Sequence, residues 1–443
     1  MNRIMKSAMA IVAVTAMSLG ALAGCGGSGA SDSGKGKVYF LNFKPEAADQ
    51  WKDLAATYTK ETGVPMTVQT AASGTYEQQL KSEMAKSEAP TLFQVNGPVG
   101  YANWKSYTAD LKDTELYKQL QNPDVALKDG GKVVGIPYAM ETYGLIYNKD
   151  ILKKYFAMPG AKAKSVKDID SFAKLKAVTD DMQARKGDLG IKGAFTSAGF
   201  DSSSDWRFKT HLANIPLYYE LKKDNITTQP ATIKGTYMPQ FKDIFDLYLK
   251  DSTTEPTQLS SKTGDDANSE FALGEAAFYQ NGTWAWSDLQ KAGMDASQVS
   301  MLPIYIGAPG EKDQGLATGS ENYWCVNAKA SKEDQQATKD FLKWVITSDA
   351  GKNALSKDMG FTTPFKTFAD IKADNPLVQA AVDDQKSGKT PVGWNFTLMP
   401  SEQWKNALGN AMLEYAQGTG SWDAVKSAYV DGWAKEYQAA HAG

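Results

Sequence analysis

Apolar segments typical of strands alternate with amphipathic segments over residues 37–95. In the first amphipathic segment, Trp51, Leu54 and Tyr58 recur at the spacing of one helix face, and Gly63 marks the end of the helix. Such an alternation favours a parallel sheet with helices packed on both faces. The chain therefore predicts an α/β fold. The predicted elements are strand 37–43, helix 45–61, strand 64–69, helix 75–87 and strand 91–95.

Polar residues follow two of these strands, at the end of an open α/β sheet where ligands bind. Asn42 and Lys44 come at the end of the first strand, and Asn96 follows the third. We therefore expect these three side chains to lie at a binding site. Because Asn96 precedes Gly97, a plain turn explains that pair as well as a ligand contact does.

A second such site is predicted within residues 271–289. Asn281 and Trp284 would lie where a short buried strand ends, although Trp284 could instead pack in the core, with Trp286 facing the ligand. The stretch predicts a helix end at 271–273, a stop at Gly274, a strand at 276–279, a tight turn at Asn281-Gly282 and a helix at 283–289.

Composition excludes several classes of function. The chain has 443 residues, which predicts two or more folding units, and a net charge of −3, which offers no polybasic surface for nucleic acid. Its two histidines, His211 and His441, disfavour a histidine-based triad or metal site. The only arginines are Arg3, Arg185 and Arg207, a poor set for clamping phosphates. The 11 tryptophans and 20 tyrosines suit both a large core and sugar recognition.

The residues around Trp284 resemble a signature of the bacterial extracellular solute-binding proteins of ABC importers, in their oligosaccharide-binding branch. The pattern is an aromatic residue, a glycine, a small pair, a short strand and Gly-x-Trp. The matching residues here are Phe271, Gly274, Ala276-Ala277 and Gly282-x-Trp284.

Three further segments resemble the passages of that family between its two lobes. Residues 133–156 contain Ile136-Pro137-Tyr138, then Glu141-Thr142, then a strand that ends in Tyr-Asn-Lys before a helix. Residues 315–328 resemble the second passage and 362–364 the third. For Glu141, the alternative is a surface charge at a strand turn.

The resemblance covers roughly residues 36–443. It implies a periplasmic-binding-protein-like α/β fold with two α/β lobes, a three-strand hinge and a ligand in the interlobe cleft. Lobe one would hold 36–147 and 317–366, and lobe two would hold 148–316 and 367–443. The implied protein is a monomer and not an enzyme, and it needs no metal or cofactor. Composition alone predicts only two α/β units.

Residues 1–24 predict a lipoprotein signal peptide. Arg3 and Lys6 precede an apolar run that is short for a membrane span, and Leu22-Ala23-Gly24-Cys25 resembles the bacterial lipobox. The resemblance implies cleavage before Cys25 and lipid attachment to its sulfur, which would anchor the protein outside the cell membrane. The alternative is an ordinary signal peptide with a chance cysteine. Residues 25–36, rich in Gly and Ser, predict a flexible tether.

Sugar binding requires aromatic rings that cover the C–H face of a pyranose and polar groups that meet its hydroxyls. Tryptophans at loop positions could cover the C–H face, although each could instead pack in the core. Amide, carboxylate and lysine side chains near the predicted strand ends and in loops could bind the hydroxyls. The candidate stacking residues are Trp206, Trp284, Trp324 and Trp394, and the candidate hydroxyl-binding residues are Asn42, Lys44, Asn96, Glu141, Asn281, Asn322 and Asn395.

These residues indicate the solute-binding component of an ABC importer, which captures a short oligosaccharide and delivers it to the permease. The segments FLNFKPE, QVNGP and IPYAMETYGLIYNK most resemble binders of raffinose-type sugars, other α-galactosides and related gluco-oligosaccharides.

Three alternatives stay open. The fold could bind a polyamine, a peptide or a glycerophosphodiester, although the last would favour arginine. A secreted glycoside hydrolase would need two carboxylates, which Glu141, Asp205, Glu275 and Glu321 could supply. A scaffold lipoprotein would bind no small ligand.

Overall fold

The computed structural model of the chain describes residues 34–72, 74–197 and 199–442. The strands in this part are β1 Val38–Asn42, β2 Met66–Thr70, β3 Leu92–Asn96, β4 Leu127–Asp129, β5 Lys132–Pro137, β6 Glu141–Asn148, β7 Gly193–Phe195, β8 Ala276–Gly282, β9 Val299–Leu302, β10 Gln314–Gly319, β11 Asn322–Val326 and β12 Thr390–Gly393.

The α-helices are α1 Ala48–Thr62, α2 Tyr76–Met84, α3 Gly97–Trp104, α4 Glu115–Lys118, α5 Lys149–Phe156, α6 Phe172–Ala184, α7 Lys186–Leu189, α8 Ala213–Lys223, α9 Met238–Lys250, α10 Gly264–Ala272, α11 Trp286–Lys291, α12 Lys332–Thr347, α13 Asp349–Asn353, α14 Pro376–Lys386, α15 Glu402–Ala416 and α16 Trp422–His441. A π-helical turn, Arg207–Leu212, leads into α8, and a 3₁₀ turn, Asn395–Leu398, follows β12.

The five elements predicted over residues 37–95 are confirmed as β1, α1, β2, α2 and β3. Trp51, Leu54 and Tyr58 are buried on the inner face of α1, and Gly63 ends that helix with φ +71°. The predicted turn at Asn281-Gly282 is wrong. β8 continues through both residues because β6 pairs with it along this length, with Gly282 opposite Tyr143.

The first sheet has the strand order β2-β1-β3-β11-β5-β4. β1 is parallel to β2 and β3, as the alternation of strands and helices predicts, whereas β11 is antiparallel to β3 and β5. Side chains alternate across the sheet, so Phe40 and Trp324 enter the core under α1 and α12, whereas Leu41 and Cys325 enter the core with α2. Both faces of this sheet are therefore buried.

The second sheet has the order β12-β10-β6-β8-β7, and β9 also pairs with β6. β8 and β10 are both antiparallel to β6, β7 is parallel to β8, and β12 is parallel to β10. Consequently β7, β8, β10 and β12 all run in one direction. Two further hydrophobic clusters involve this sheet, which completes a second α/β layer arrangement.

Three passages of the chain connect the two sheets. Residues 138–140 join β5 to β6, and Ser320 and Glu321 join β10 to β11. The third passage includes Thr362, which forms an antiparallel bridge with Met140. The two-lobed α/β architecture is confirmed. The exact lobe boundaries stay a prediction; the pairing of β6 places residues 141–147, which the predicted division at 147/148 assigns to lobe one, in the second sheet.

The predicted signal peptide and Cys25 lie outside the described residues. None of the helices that the structure describes has both the length and the apolar character needed to cross a bilayer.

Candidate functional site

A cavity of about 250 Å³ lies between the two sheets. One wall comes from the first sheet and its helices, with Phe43 and Lys44 after β1, Tyr76 on α2 and Asn96 at the end of β3. The opposite wall comes from segments that follow strands of the second sheet. The cavity thus occupies the position between lobes that the sequence predicts for a ligand.

Three tryptophans and a histidine form the second wall. The ring centroid of His211 lies 4.8 Å from that of Trp206, 5.4 Å from that of Trp284 and 5.9 Å from that of Trp394. His211 also stacks on Tyr143 at 4.3 Å, and burial lowers its pKa well below the ordinary value. The neutral imidazole of His211 therefore packs against all three tryptophans of this wall, which we call the aromatic wall.

The direction of the strands explains why these tryptophans meet. β7, β8 and β12 end at the same edge of the second sheet because they run the same way. Trp284 follows β8 after one residue, Trp394 follows β12 directly, and Trp206 lies in the segment after β7. Ligand sites of α/β sheets form at this edge.

A buried ion pair crosses the cavity between the sheets. Lys44 Nζ lies 2.8 Å from Glu141 Oε1 and 3.4 Å from Glu46 Oε1, and both side chains of the closer pair are only 6% exposed. Although burial acts to lower it, the carboxylates of Glu141 and Glu46 raise the pKa of Lys44. The lysine is therefore charged, and it links the loop after β1 to the first residue of β6.

Two more lysines form ion pairs at the cavity. Lys209 Nζ lies 2.5 Å from Asp205 Oδ2 and also donates to Asn406 Oδ1 at 2.8 Å. Lys405 Nζ lies 2.8 Å from Glu402 Oε1. Each lysine that lines the cavity in the described part of the chain is thus already paired with a carboxylate.

Glu321 lines the same cavity from the passage between β10 and β11. Burial raises its pKa to about 7, against the opposing influence of Lys405 and Lys44 and with the added influence of Glu402 and Glu141. At neutral pH this carboxyl group is therefore partly protonated, and it can donate as well as accept a hydrogen bond.

The Glu321→Gln variant is expected to gain stability relative to the wild-type protein as the pH rises. A carboxyl whose pKa is raised on folding contributes stability below its unfolded value, near 4.5, and loses it as the pH rises through the folded value, near 7. Between pH 5 and pH 8 the free energy of unfolding of the variant should gain about 1–3 kcal/mol on the wild type. Urea unfolding of both proteins at pH 5 and pH 8 measures these free energies. The same difference between variant and wild type at both pH values would contradict the prediction.

Six of the eleven predicted ligand-binding residues line the cavity together: Lys44, Asn96, Glu141, Trp206, Trp284 and Trp394. Two of them carry buried polar atoms with no partner among the described residues. These are Asn96 Oδ1 and Trp394 Nε1, which a ligand hydroxyl could satisfy. Their role as ligand contacts stays a prediction.

The other five predicted residues are not among those that line the cavity. Asn42 supports the loop instead, since its Nδ2 donates to the Lys44 carbonyl at 2.7 Å and its Oδ1 accepts from the Lys44 amide at 3.1 Å. Asn281 Oδ1 accepts from the Gly282 amide within β8. Asn322 is buried on β11 with both amide atoms unpartnered among the described residues, and Asn395 is half-buried at the start of its 3₁₀ turn.

Trp324 belongs to the core, and its prediction as a stacking residue is corrected. It is 0% exposed and stacks on Tyr138 at 4.5 Å, with Trp51 edge-on at 6.0 Å. The cause is the alternation along β11, which turns this side chain toward α1 and α12. Trp286 is likewise buried in a core cluster of the second sheet.

Several cavity residues were not predicted. Asp205, considered from the sequence only as a possible hydrolase carboxylate, and Lys209 lie within three residues of Trp206, and this proximity is a signal that could have identified them as cavity residues. Glu402, Lys405 and Asn406 lie in the first turns of α15. Nothing local marks these three, because only tertiary packing brings α15 to the cavity.

The segments that follow β3 and β12 also touch beside the cavity. At Gly97, φ is +60° and an added Cβ would lie 2.7 Å from Thr397 Cβ, in the 3₁₀ turn after β12. This approach requires glycine at the start of α3. Asn96-Gly97 is thus a point of close contact between the two walls, and whether Asn96 also binds a ligand stays a prediction.

Known proteins are similar to most of the chain. The melibiose/raffinose/stachyose-binding protein MelE of Bacillus subtilis (strain 168) is 25% identical over 343 residues, which cover 76% of this chain and 75% of MelE. A solved chitin oligosaccharide binding protein matches with a TM-score of 0.71 and 18% identity, over 92% of this chain and 99% of its own. The solute-binding protein RafE in complex with raffinose matches with a TM-score of 0.68 and 17% identity, over 90% of this chain and 99% of its own.

The solved structures establish the fold, and the family assignment comes from the sequence. Residues 53–383 match the family model described as bacterial extracellular solute-binding protein. The match covers well over half of the chain, including every strand of the two sheets except β1 and β12 and all three passages between the sheets. The chain therefore belongs to the bacterial extracellular solute-binding protein family.

Proposed function

We propose that this protein is the solute-binding component of an ABC importer for a short, uncharged oligosaccharide of the raffinose type. The observation that carries the proposal is the wall of Trp206, Trp284 and Trp394, which faces polar side chains across one interlobe cavity. Indole faces cover the C–H patch of a pyranose, and amides and carboxylates meet its hydroxyls. MelE binds melibiose, raffinose and stachyose by its name, and RafE was solved with raffinose.

The charges of the cavity support an uncharged ligand. All three of its lysines, Lys44, Lys209 and Lys405, are neutralised by ion pairs within the protein. An anionic ligand would find no free cation among the described residues that line the cavity, and it would meet the carboxylates there. Repulsion of this kind selects against sugar acids and phosphorylated sugars.

A polyamine is the second candidate, and a specific observation favours it. Six carboxylates and three lysines line the cavity in the described part of the chain, which leaves a surplus of negative charge. Aromatic walls also suit a cation. The raised pKa of Glu321 reduces this surplus, and the neutral sugars named for MelE and for the RafE complex favour a sugar over a polyamine.

We propose no catalytic role for the carboxylates. Glu141 is held in its ion pair with Lys44, and Glu275 pairs with Lys192 outside the cavity. Among the described residues, no group of three or more His, Cys, Asp or Glu side chains is arranged to hold a metal ion. Incubation with raffinose tests the point, because released galactose or sucrose would identify a hydrolase.

Thermal unfolding of residues 35–443, which form one compact unit, tests the ligand class. The panel holds raffinose, stachyose, melibiose, maltotriose, chitotriose, galacturonic acid oligomers and spermidine. A ligand at a hundredfold excess over its dissociation constant adds about 2.7 kcal/mol of stability. The midpoint should then rise by about 2–4 °C or more. A shift with neutral galactosides supports the proposal, and a shift with spermidine alone replaces the sugar with a polyamine.

The proposed anchor is a lipid on Cys25, which lies outside the described residues. It would hold the binding protein at the outer face of the cell membrane, next to the permease. Expression of the full chain with Cys25→Ala is expected to move the protein from the membrane fraction to the medium or periplasm. Unchanged membrane association would contradict a lipid anchor on this cysteine.

A further inference from the structure

Arg207 is buried next to Trp206 and forms no ion pair with a carboxylate of the described residues, although it acts electrostatically on Asp288. Arg207 is 5% exposed, and no carboxylate of the described part of the chain lies within ion-pair distance of its guanidinium. Nη2 donates to Tyr279 Oη at 2.5 Å, whereas Nε and Nη1 have no partner among the described residues. A buried charge with unpaired donors costs folding free energy. Its presence points to a function beyond packing.

The guanidinium lies close to two aromatic rings. Its central carbon is 4.4 Å from the ring centroid of Trp206 and 5.1 Å from that of Tyr279. Trp206 lines the cavity whereas Arg207 does not, so the indole separates the guanidinium from the space that a ligand would occupy.

The backbone of Arg207 is fixed as firmly as its side chain. Its carbonyl accepts a hydrogen bond from Gln280 Nε2 at 2.7 Å, and both Gln280 and Tyr279 belong to β8. Trp206 itself donates from Nε1 to the Ser203 carbonyl at 3.1 Å. Arg207 therefore ties the segment that carries Trp206 to a central strand of the second sheet.

We propose that Arg207 is a positioning residue, whose planar guanidinium stacks on Trp206 and fixes the indole plane for a pyranose ring. The inference rests on the proposed sugar-binding function and adds the residue that preorganises its stacking surface. Unlike the ammonium group of lysine, the guanidinium is planar and can donate within its plane to Tyr279. A ring that is fixed before binding loses less entropy when the ligand arrives.

A double-mutant cycle with calorimetric titration of raffinose and stachyose tests the proposal. Arg207→Met keeps an unbranched apolar chain near Trp206 and Tyr279 but removes the planar cation. It is expected to weaken binding of both sugars by about 3- to 30-fold. In a Trp206→Ala background, the same Arg207→Met change should alter affinity by less than about twofold, because the ring it positions is gone. Arg185→Met is the matched control, since Arg185 pairs with Asp181 and does not line the cavity.

A second measurement needs no ligand. Fluorine NMR of protein labelled with 5-fluorotryptophan reports each indole, and loss of one signal in Trp206→Phe assigns that residue. In Arg207→Met we expect the Trp206 resonance to shift and broaden while that of Trp344, which lies on α12, stays unchanged. Arg207→Lys, which keeps a buried cation without the planar group, should give the same result if Arg207→Met fails to fold.

The outcomes separate this proposal from the proposed function. If Arg207→Met binds sugar as tightly as the wild type, the positioning role is wrong while sugar binding stands. The same follows if Arg207→Met weakens sugar binding by the same factor in the wild-type and Trp206→Ala backgrounds. An unaltered Trp206 resonance would overturn the positioning role without reference to any ligand. Absence of sugar binding by the wild-type protein would overturn the proposed function, and the NMR result would then decide whether Arg207 positions the ring.

Discussion

Replacement of Trp206 or Trp284 with alanine is expected to weaken binding of raffinose or stachyose by about 10- to 100-fold each. Both indoles are half-buried and line the cavity, and their centroids lie 5.8 Å apart. Removal of either ring exposes the C–H face of a pyranose to water and widens the cavity. Because neither ring is fully buried, the cost in stability should be smaller than the cost in affinity.

Trp344→Ala provides the matched control for both substitutions. Trp344 is also half-buried, but it packs on Tyr58 and Phe341 and donates to Glu61, away from the cavity. This variant should bind sugar as the wild type does. Titration calorimetry measures all three proteins, and unchanged affinity in both cavity variants would refute the aromatic wall as the stacking surface.

Lys44→Met is expected to lower the free energy of unfolding by about 3–5 kcal/mol, the usual cost of breaking a buried ion pair from one side. Lys44 and Glu141 are each 6% exposed, and Glu141 would be left as a buried carboxylate facing Glu46. The lysine also connects the two walls, so the variant should favour an open arrangement of the lobes. Urea unfolding and solution scattering measure the two effects.

A double substitution tests whether the unpaired charge of Glu141 causes this loss of stability. Lys44→Met combined with Glu141→Gln removes both charges, and the double variant should recover much of the lost stability. Lys192→Met breaks the exposed pair with Glu275 and should cost less than about 1 kcal/mol. If the double variant is no more stable than the single one, the ion pair does not explain the effect.

Strand ends were the most informative feature of the sequence. Lys44 and Asn96 were predicted because ligands bind at the carboxyl ends of parallel strands, and β1 and β3 do end at the cavity. Trp206 and Trp394 were predicted from loops that carry a large aromatic residue, and both line the cavity. Local patterns identify such positions because the topology of the sheet converts sequence order into spatial order.

Predictions failed where burial on both faces hides the direction of a side chain. Cys325 and Trp324 are neighbours on β11 and enter opposite cores, so no apolar alternation marks which face meets the ligand. Asn281-Gly282 resembles a turn, yet pairing with β6 extends β8 through it. Lys405 reaches the cavity from a helix more than 300 residues after β3, and only the packed structure brings them together.

A calorimetric titration of residues 35–443 with stachyose, beside the Trp206→Ala/Trp284→Ala double variant, tests the proposed sugar site most directly. We expect saturable binding of one sugar to one wild-type chain and no measurable binding to the double variant at the same concentrations. Absence of binding to the wild type by stachyose, raffinose and the other neutral sugars of the panel would contradict this expectation. Equal binding to both proteins would show that the sugar occupies a different site.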